Sequence, residues 1–208
     1  MQFQIAIDTM PRDEALGFAE SVEVYADIIE IGTPLIYRYG LELVREMADR
    51  LSQSELLADS KIVDAGALET RMFPENGADI VTLLAGSRDT TVEQAIATAK
   101  NYQSELMIDL IDIPFDRKIE RIEELTELGC NYFCLHRPSD VGTGEAMFLP
   151  EPGSLPSGLK LAVAGGIDQM NLDRIIKSGM DIAIVGSAIT QADKPEDRAR
   201  KYAERLNQ

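Results

Sequence analysis

Eight short apolar runs alternate with longer segments of helical periodicity from one end of the chain to the other. The runs are FQIAI (3–7), DIIEI (27–31), LLADS (56–60), IVTLL (80–84), ELMIDL (105–110), YFCL (132–135), KLAVA (160–164) and IAIVG (182–186). Each has the length of a buried strand. Between them lie RDEALGFAESV, GLELVREMADRL, TVEQAIATAKNY, RKIERIEELTELG and NLDRIIKSG, whose apolar residues recur at three and four positions, as amphipathic helices require. ELG at 127–129 and KSG at 177–179 end in the glycine expected just past a helix.

Consecutive strand ends fall roughly 25 residues apart, the step of a βα unit, so the pattern predicts a closed (β/α)8 barrel, an α/β TIM barrel. Residues 1–208 are short for two independent cores and are read as one barrel domain. The structural rival is an open doubly wound sheet. That fold should show GxGxxG after its first strand, where this chain has DTMPRD. One unit is irregular: VGTGEAMFLPEPGSLPSGLK (141–160) carries three prolines and four glycines, which predicts a long loop with a short turn in place of a helix.

Composition and charge change this picture in four places. Apolar and charged fractions of 45% and 27%, with no apolar run of membrane-spanning length, predict a soluble globular protein. MQFQIAIDTM lacks the features of a signal peptide, so a cytoplasmic location is expected. Cys130 and Cys134 bracket NYF at a spacing that suits neither a zinc knuckle nor a CxxC pair, and buried reduced thiols are expected. The net charge of −16 argues against nucleic acid as a partner. An anionic ligand would need local attraction from a lysine, a metal ion or backbone N–H groups.

In a barrel the site lies at the carboxyl ends of the strands. The residues placed there are Asp8, Glu30, Asp59 with Lys61, Asp109, His136, Gly165 with Gly166, and Gly186 with Ser187. Any one carboxylate alone reads equally well as a helix cap or a solvated strand end. Glu30 and Asp59, from neighbouring strands, could share a divalent ion that prefers carboxylate oxygen. Lys61, two residues beyond Asp59, is expected on the same side of its strand, where an ammonium ion can stabilise developing negative charge or serve only as an ion pair. His136, the one histidine, sits beside Arg137 and near Asp140, and histidine is the side chain best suited to carry protons near neutrality. AVAGGIDQMNLDRI and AIVGSAIT run from strand into glycine and towards a helix, the usual barrel phosphate site.

LADSKIVDAGALE resembles the Asp-x-Lys-x-x-Asp motif of the orotidine monophosphate decarboxylase suprafamily. Within it AIDTM, IIEIGTPLI, GADIVTLL, MIDLIDIP, AVAGGI and IVGSAIT look like the 3-hexulose-6-phosphate synthases along nearly the whole chain. The decarboxylases of orotidine monophosphate carry a lysine where this chain has Glu30, and Glu30 suits the metal-dependent branch. The 3-keto-L-gulonate-6-phosphate decarboxylases of that branch typically have glutamate on strand five, an arginine three after the strand-six histidine, and threonine before the double glycine. Here Asp109, Ser139 and Ala164 fall on the synthase side, whereas the His136–Arg137 pair is more like the decarboxylases. HRPSDVGTG keeps His136 and Asp140 of the synthase loop and departs from the rest of it.

The resemblance implies Mg²⁺ held by Glu30 and Asp59, and an enediolate formed from ribulose 5-phosphate with His136 as base and Lys61 as stabiliser. That enediolate would add to formaldehyde to give 3-hexulose 6-phosphate. It also implies substrate contacts from Asp8, Asp109 and Asp140, phosphate held at Gly165, Gly166, Gly186 and Ser187, and a homodimer in which Asp64 crosses into the partner's site. A keto-sugar-phosphate decarboxylase and a non-catalytic sugar-phosphate sensor are the alternatives.

Overall fold

The computed structural model describes residues 1–141, 147–151 and 154–207. Eight strands, β1 (Gln2–Ile7), β2 (Ile28–Ile31), β3 (Glu55–Ile62), β4 (Ile80–Leu84), β5 (Glu105–Asp109), β6 (Tyr132–His136), β7 (Lys160–Ala164) and β8 (Ile182–Val185), close into a barrel in chain order. Every neighbouring pair is parallel, and β1 completes the ring against β8 with Ile5 opposite Val185. The expected fold class is therefore the observed one.

Strands buried on both faces explain why the apolar runs look continuous. Ala6, Ile28, Leu57, Ile80, Met107, Cys134, Ala162 and Ile184 fill the barrel interior. Their sequence neighbours Ile5, Ile29, Leu56, Val81, Ile108, Leu135, Val163 and Val185 point outward into a second core beneath the helices. This two-residue alternation decides which later residues on each strand look into the barrel mouth.

The helices are α1 (Arg12–Val22), α2 (Thr33–Arg50), α3 (Gly66–Met72), α4 (Asp89–Tyr102), α5 (Lys118–Glu127), α6 (Leu172–Lys177), α7 (Ser187–Thr190) and α8 (Pro195–Leu206). The helical pattern beginning at residue 40 is the second half of α2. A kink at Gly40 (φ 66°, ψ −162°) joins it to an earlier segment that starts at Thr33–Pro34, where proline suits a first helical turn. At the close of the chain α8 packs back on β1, stacking Tyr202 on Phe3 with ring centroids 6.3 Å apart.

Between β6 and β7 the described residues hold only one short 3₁₀ turn, Ser139–Val141, as the prolines and glycines predicted. Residues 142–146 and 152–153 of that predicted loop, including part of HRPSDVGTG, lie outside the described residues. Cys130 and Cys134 are free and buried, and burial pushes the Cys130 thiol up to about 11. Among the described residues no helix is long and apolar enough to cross a membrane.

Candidate active site

The site follows from the interior alternation carried two residues further. Asp8 follows Ala6, Glu30 follows Ile28, Asp59 follows Leu57, Thr82 follows Ile80, Asp109 follows Met107 and His136 follows Cys134, each two positions after an interior residue. All six line one cavity of about 470 Å³ at the carboxyl ends of the strands, together with Lys61, Gly165, Gly166, Gly186 and Ser187. Of the residues expected there, Asp140 does not line it and is exposed; Asp64, expected in the site of a partner, is exposed and outside this cavity. The 3₁₀ turn at Ser139–Val141 carries Asp140 outward while Ser139 faces the cavity.

Lys61 reaches the site by a route the two-residue period does not describe. Its φ is +48°, a left-handed conformation rare for a lysine, and the β3–β4 register shifts between Ala58 and Ile62. Simple alternation therefore does not account for its direction; the bulge does. Thr82 pins it, because its Oγ1 accepts the Lys61 backbone N–H at 2.9 Å and donates to Asp59 Oδ1 at 2.9 Å. The ammonium Nζ donates to Asp59 (2.9 and 3.0 Å) and to Asp109 Oδ2 (2.8 Å). Burial would lower its pKa, but the Asp109 and Asp59 charges outweigh that and hold it above the ordinary lysine value, so Lys61 stays a cation. A strained residue held by its surroundings is common at functional positions.

Asp109 couples the lysine to the histidine. Its Oδ2 also lies 3.0 Å from His136 Nδ1, and its Oδ1 accepts the Ile111 N–H at 2.9 Å. Burial pushes this carboxyl up, yet the His136 hydrogen bond and the nearby charges prevail and hold it at about 2. An ionised carboxylate only accepts hydrogen bonds, so Nδ1 must carry a proton, and the nitrogen that exchanges protons with a substrate is Nε2. Because the folded pKa is depressed, the stability Asp109 contributes is complete above the unfolded value and is lost as pH falls towards about 2. Acid denaturation of an Asp109→Asn variant should therefore be flatter than wild type between about pH 4 and 2.

Glu30 is 7% exposed; its Oε2 accepts from Gln4 Nε2 at 2.6 Å, and its other oxygen has no hydrogen bond among the described residues. Burial, then the charges of Asp59 and Asp8, push its carboxyl well above the usual range; burial, then Asp59, raise Asp8 too. Four carboxylates thus surround one ammonium ion. An all-oxygen donor set with surplus negative charge fits a hard divalent cation such as Mg²⁺, with Glu30 and Asp59 as the residues that would hold it. Among the described residues the one tight trio of ligand types is a different one, Asp109, Cys134 and His136. Its Asp109 oxygens already accept three hydrogen bonds, and burial followed by the Asp109 charge pushes the Cys134 thiol well above its ordinary value. Within that trio Asp109 and His136 are hydrogen-bonded to each other, beside a thiol that burial keeps protonated.

The glycine turns close the opposite side. Gly165 (φ 91°) and Gly166 (φ 73°) adopt a conformation L side chains avoid, and a Cβ on Gly165 would fall 2.1 Å from the Arg137 carbonyl oxygen. Gly165→Ala should lower Tm by roughly 5–15 °C, read by calorimetry. The turn does not feed straight into a helix as the sequence suggested. Asp168 Oδ1 accepts the Met170 and Asn171 N–H groups ahead of α6, so a carboxylate already occupies that helix start. After β8, α7 is a single turn.

Residues not picked out from the sequence also shape the site. Thr33 Oγ1 lies 2.6 Å from the Asp59 carbonyl oxygen and 2.9 Å from Oδ2. Gln4 and Thr82 were visible as polar residues at inward positions of otherwise apolar strands, whereas Thr33 lies beyond its strand and carried no such signal.

The fold and its rim define a (β/α)8 barrel equipped for proton transfer beside a stabilising cation. The chain belongs to the Orotidine 5'-phosphate decarboxylase / HUMPS family, whose pattern matches residues 1–202. It is 36% identical over 204 residues to a 3-hexulose-6-phosphate synthase of Staphylococcus aureus (strain USA300), covering 97% of this chain and 96% of that protein. The crystal structure of 3-hexulose-6-phosphate synthase from Salmonella typhimurium superposes with a TM-score of 0.91 at 31% identity, covering 100% of this chain and 99% of that one. A crystal structure of KGPDC from Streptococcus mutans shares the fold with a TM-score of 0.88 at 23% identity, covering 99% of this chain and 97% of that one.

Proposed function

We propose that this protein is a 3-hexulose-6-phosphate synthase, an aldehyde-lyase that joins formaldehyde to ribulose 5-phosphate. One observation carries the reading: Asp59, Lys61, Asp109 and His136 form one connected hydrogen-bond network in the mouth of a barrel that is 36% identical to such a synthase. When bound by Glu30 and Asp59, Mg²⁺ supplies Lewis-acid polarisation of the substrate carbonyl.

The chain's own residues do the rest. His136 Nε2 takes the C1 proton of ribulose 5-phosphate, and the C–H pair becomes the C1–C2 double bond of an enediolate. Lys61, charged and fixed between two carboxylates, stabilises the negative oxygen as it develops. C1 then forms a bond to the formaldehyde carbon; the formaldehyde π pair moves to its oxygen, which recovers the proton from His136 as the C2 carbonyl re-forms. Asp109 keeps the imidazole in the required tautomer throughout. Asp8 binds substrate hydroxyls, and Gly165, Gly166, Gly186 and Ser187 anchor the phosphate.

The enzyme acts in the cytoplasm as a homodimer. Asp64 is exposed on its own rim next to Val63, which is 57% exposed, a disposition that suits insertion into the site of a second copy. The His136–Arg137 pair favours one second reading, decarboxylation of 3-keto-L-gulonate 6-phosphate. Purified protein with Mg²⁺ and ribulose 5-phosphate is expected to consume added formaldehyde; unconsumed formaldehyde, with carbon dioxide released from the keto-gulonate ester, selects the second reading.

A further inference from the structure

Lys118 opens α5, and its place there is unfavourable on two counts. It is 5% exposed, although lysine is almost never fully buried without partners. It also stands at a helix start, where the dipole disfavours a cation, while Glu120 is the acidic residue that a first turn prefers. A methionine would fill the same space with neither penalty. What the lysine adds is a set of hydrogen-bond donors at the end of a long side chain.

Those donors reach back across the preceding loop to the ends of two strands. Nζ donates to the Leu110 carbonyl at 2.5 Å and to the His136 carbonyl at 3.3 Å. Leu110 directly follows Asp109, so both carbonyls belong to the strand ends that present the Asp109–His136 pair. The ladder between these strands is short. β5 and β6 pair at Ile108–Phe133 and Asp109–Cys134, and the Leu110 N–H bonds the Cys134 carbonyl at 3.0 Å. Beyond that bond, among the described residues, no main-chain hydrogen bond joins the two ends. Asp109 is anchored instead to β4, opposite Leu84, and His136 to β7, opposite Ala164. Lys118 Nζ spans the gap between these two anchored halves.

We infer that Lys118 is a positioning residue for His136: by holding the Leu110 and His136 carbonyls together, it sets the Asp109–His136 contact and with it the direction in which Nε2 faces the substrate. The inference rests on the reading of His136 as the proton carrier of the proposed reaction. Lys118 does not line the substrate cavity, so it acts through the main chain without touching the reacting atoms. A displacement of about 1 Å at a catalytic group costs on the order of 100-fold in rate, whereas groups that only bind the substrate are left in place.

His136 is the one histidine of the chain, so its ring nitrogens give an unambiguous ¹⁵N signal. Two-bond ¹H–¹⁵N correlation spectra of the intact protein, recorded where the ring is neutral, report which nitrogen carries the proton. In the unchanged protein it should be Nδ1. Lys118→Met should admit the Nε2–H form, lower kcat by about 10- to 100-fold and leave the KM for ribulose 5-phosphate within about threefold. Lys118→Gln, whose amide retains a donor, should fall between the two. A lysine that only supported the fold would change Tm and leave the tautomer as it was. An unchanged tautomer in folded Lys118→Met therefore overturns the assignment, as does an Nε2–H ring in the unchanged protein. If Lys118→Met does not fold, Lys118→Gln carries the same readings; loss of the fold in both makes Lys118 a structural strut and overturns the assignment too. A tautomer that depends on Lys118 in a protein that consumes no formaldehyde would leave the positioning role standing and refute the proposed reaction alone. Full formaldehyde consumption with a tautomer indifferent to Lys118 would do the reverse.

Discussion

Replacing Lys61 by alanine lowers kcat by about 10³-fold while leaving the barrel assembled, on the scale of losing one preorganised group that meets developing negative charge. The effect is large because the lysine is arranged for that moment in advance. Asp59 and Asp109 hold its Nζ within 3.0 Å, Thr82 holds its backbone, and the bulge in β3 aims it. Nothing in the site must reorganise when the enediolate forms. Removal also leaves Asp59 and Asp109 buried without their cation, so Tm should fall in the same variant. Circular dichroism separates the two effects: a native spectrum with turnover lost is the expected outcome, and near-normal turnover would remove Lys61 from its role.

Glu30→Gln is expected to abolish Mg²⁺-dependent turnover and at the same time raise the Tm of the metal-free protein. In the wild type, folding buries this carboxylate beside Asp59 and Asp8, and burial with like charge raises its pKa well above the ordinary value. A folded state with a raised carboxyl pKa binds more protons than the unfolded chain, so metal-free stability falls as pH rises past glutamate's ordinary range. The neutral amide has nearly the same shape, can still accept from Gln4, and removes that slope. Scanning calorimetry in chelator and in Mg²⁺ reads both arms. Mg²⁺ should raise the wild-type Tm by mass action and leave Glu30→Gln unmoved; equal Mg²⁺ shifts in the two proteins would take Glu30 out of the metal site.

Much of this was legible in the sequence, for a physical reason. A barrel presents the carboxyl ends of its strands at one mouth, so an apolar run followed by a charged or polar residue places that residue there; Asp8, Glu30, Asp59, Asp109 and His136 are legible in that way. What escaped depends on departures from the alternation or on tertiary contacts. Lys61 faces the site through a bulge and a positive φ that no pattern in LLADSKI announces. Asp140 follows His136 closely in sequence, yet a 3₁₀ turn carries it to the surface. Thr33 and Arg137 act across elements, one on Asp59 and the other against the β7 turn, and sequence order does not reveal such neighbours. Asp168 was equally hidden, because its capping of α6 appears only once the loop is folded.

The central claim is that this cavity joins a one-carbon aldehyde to a sugar phosphate. Carbon-13 NMR of the protein with Mg²⁺, ribulose 5-phosphate and ¹³C-labelled formaldehyde tests it most directly. The expected result is transfer of the label into a new hydroxymethyl carbon of a six-carbon ketose phosphate, dependent on Mg²⁺ and lost in Lys61→Ala. A label that remains in hydrated formaldehyde, while the same protein releases labelled carbon dioxide from carboxyl-labelled 3-keto-L-gulonate 6-phosphate, would contradict it.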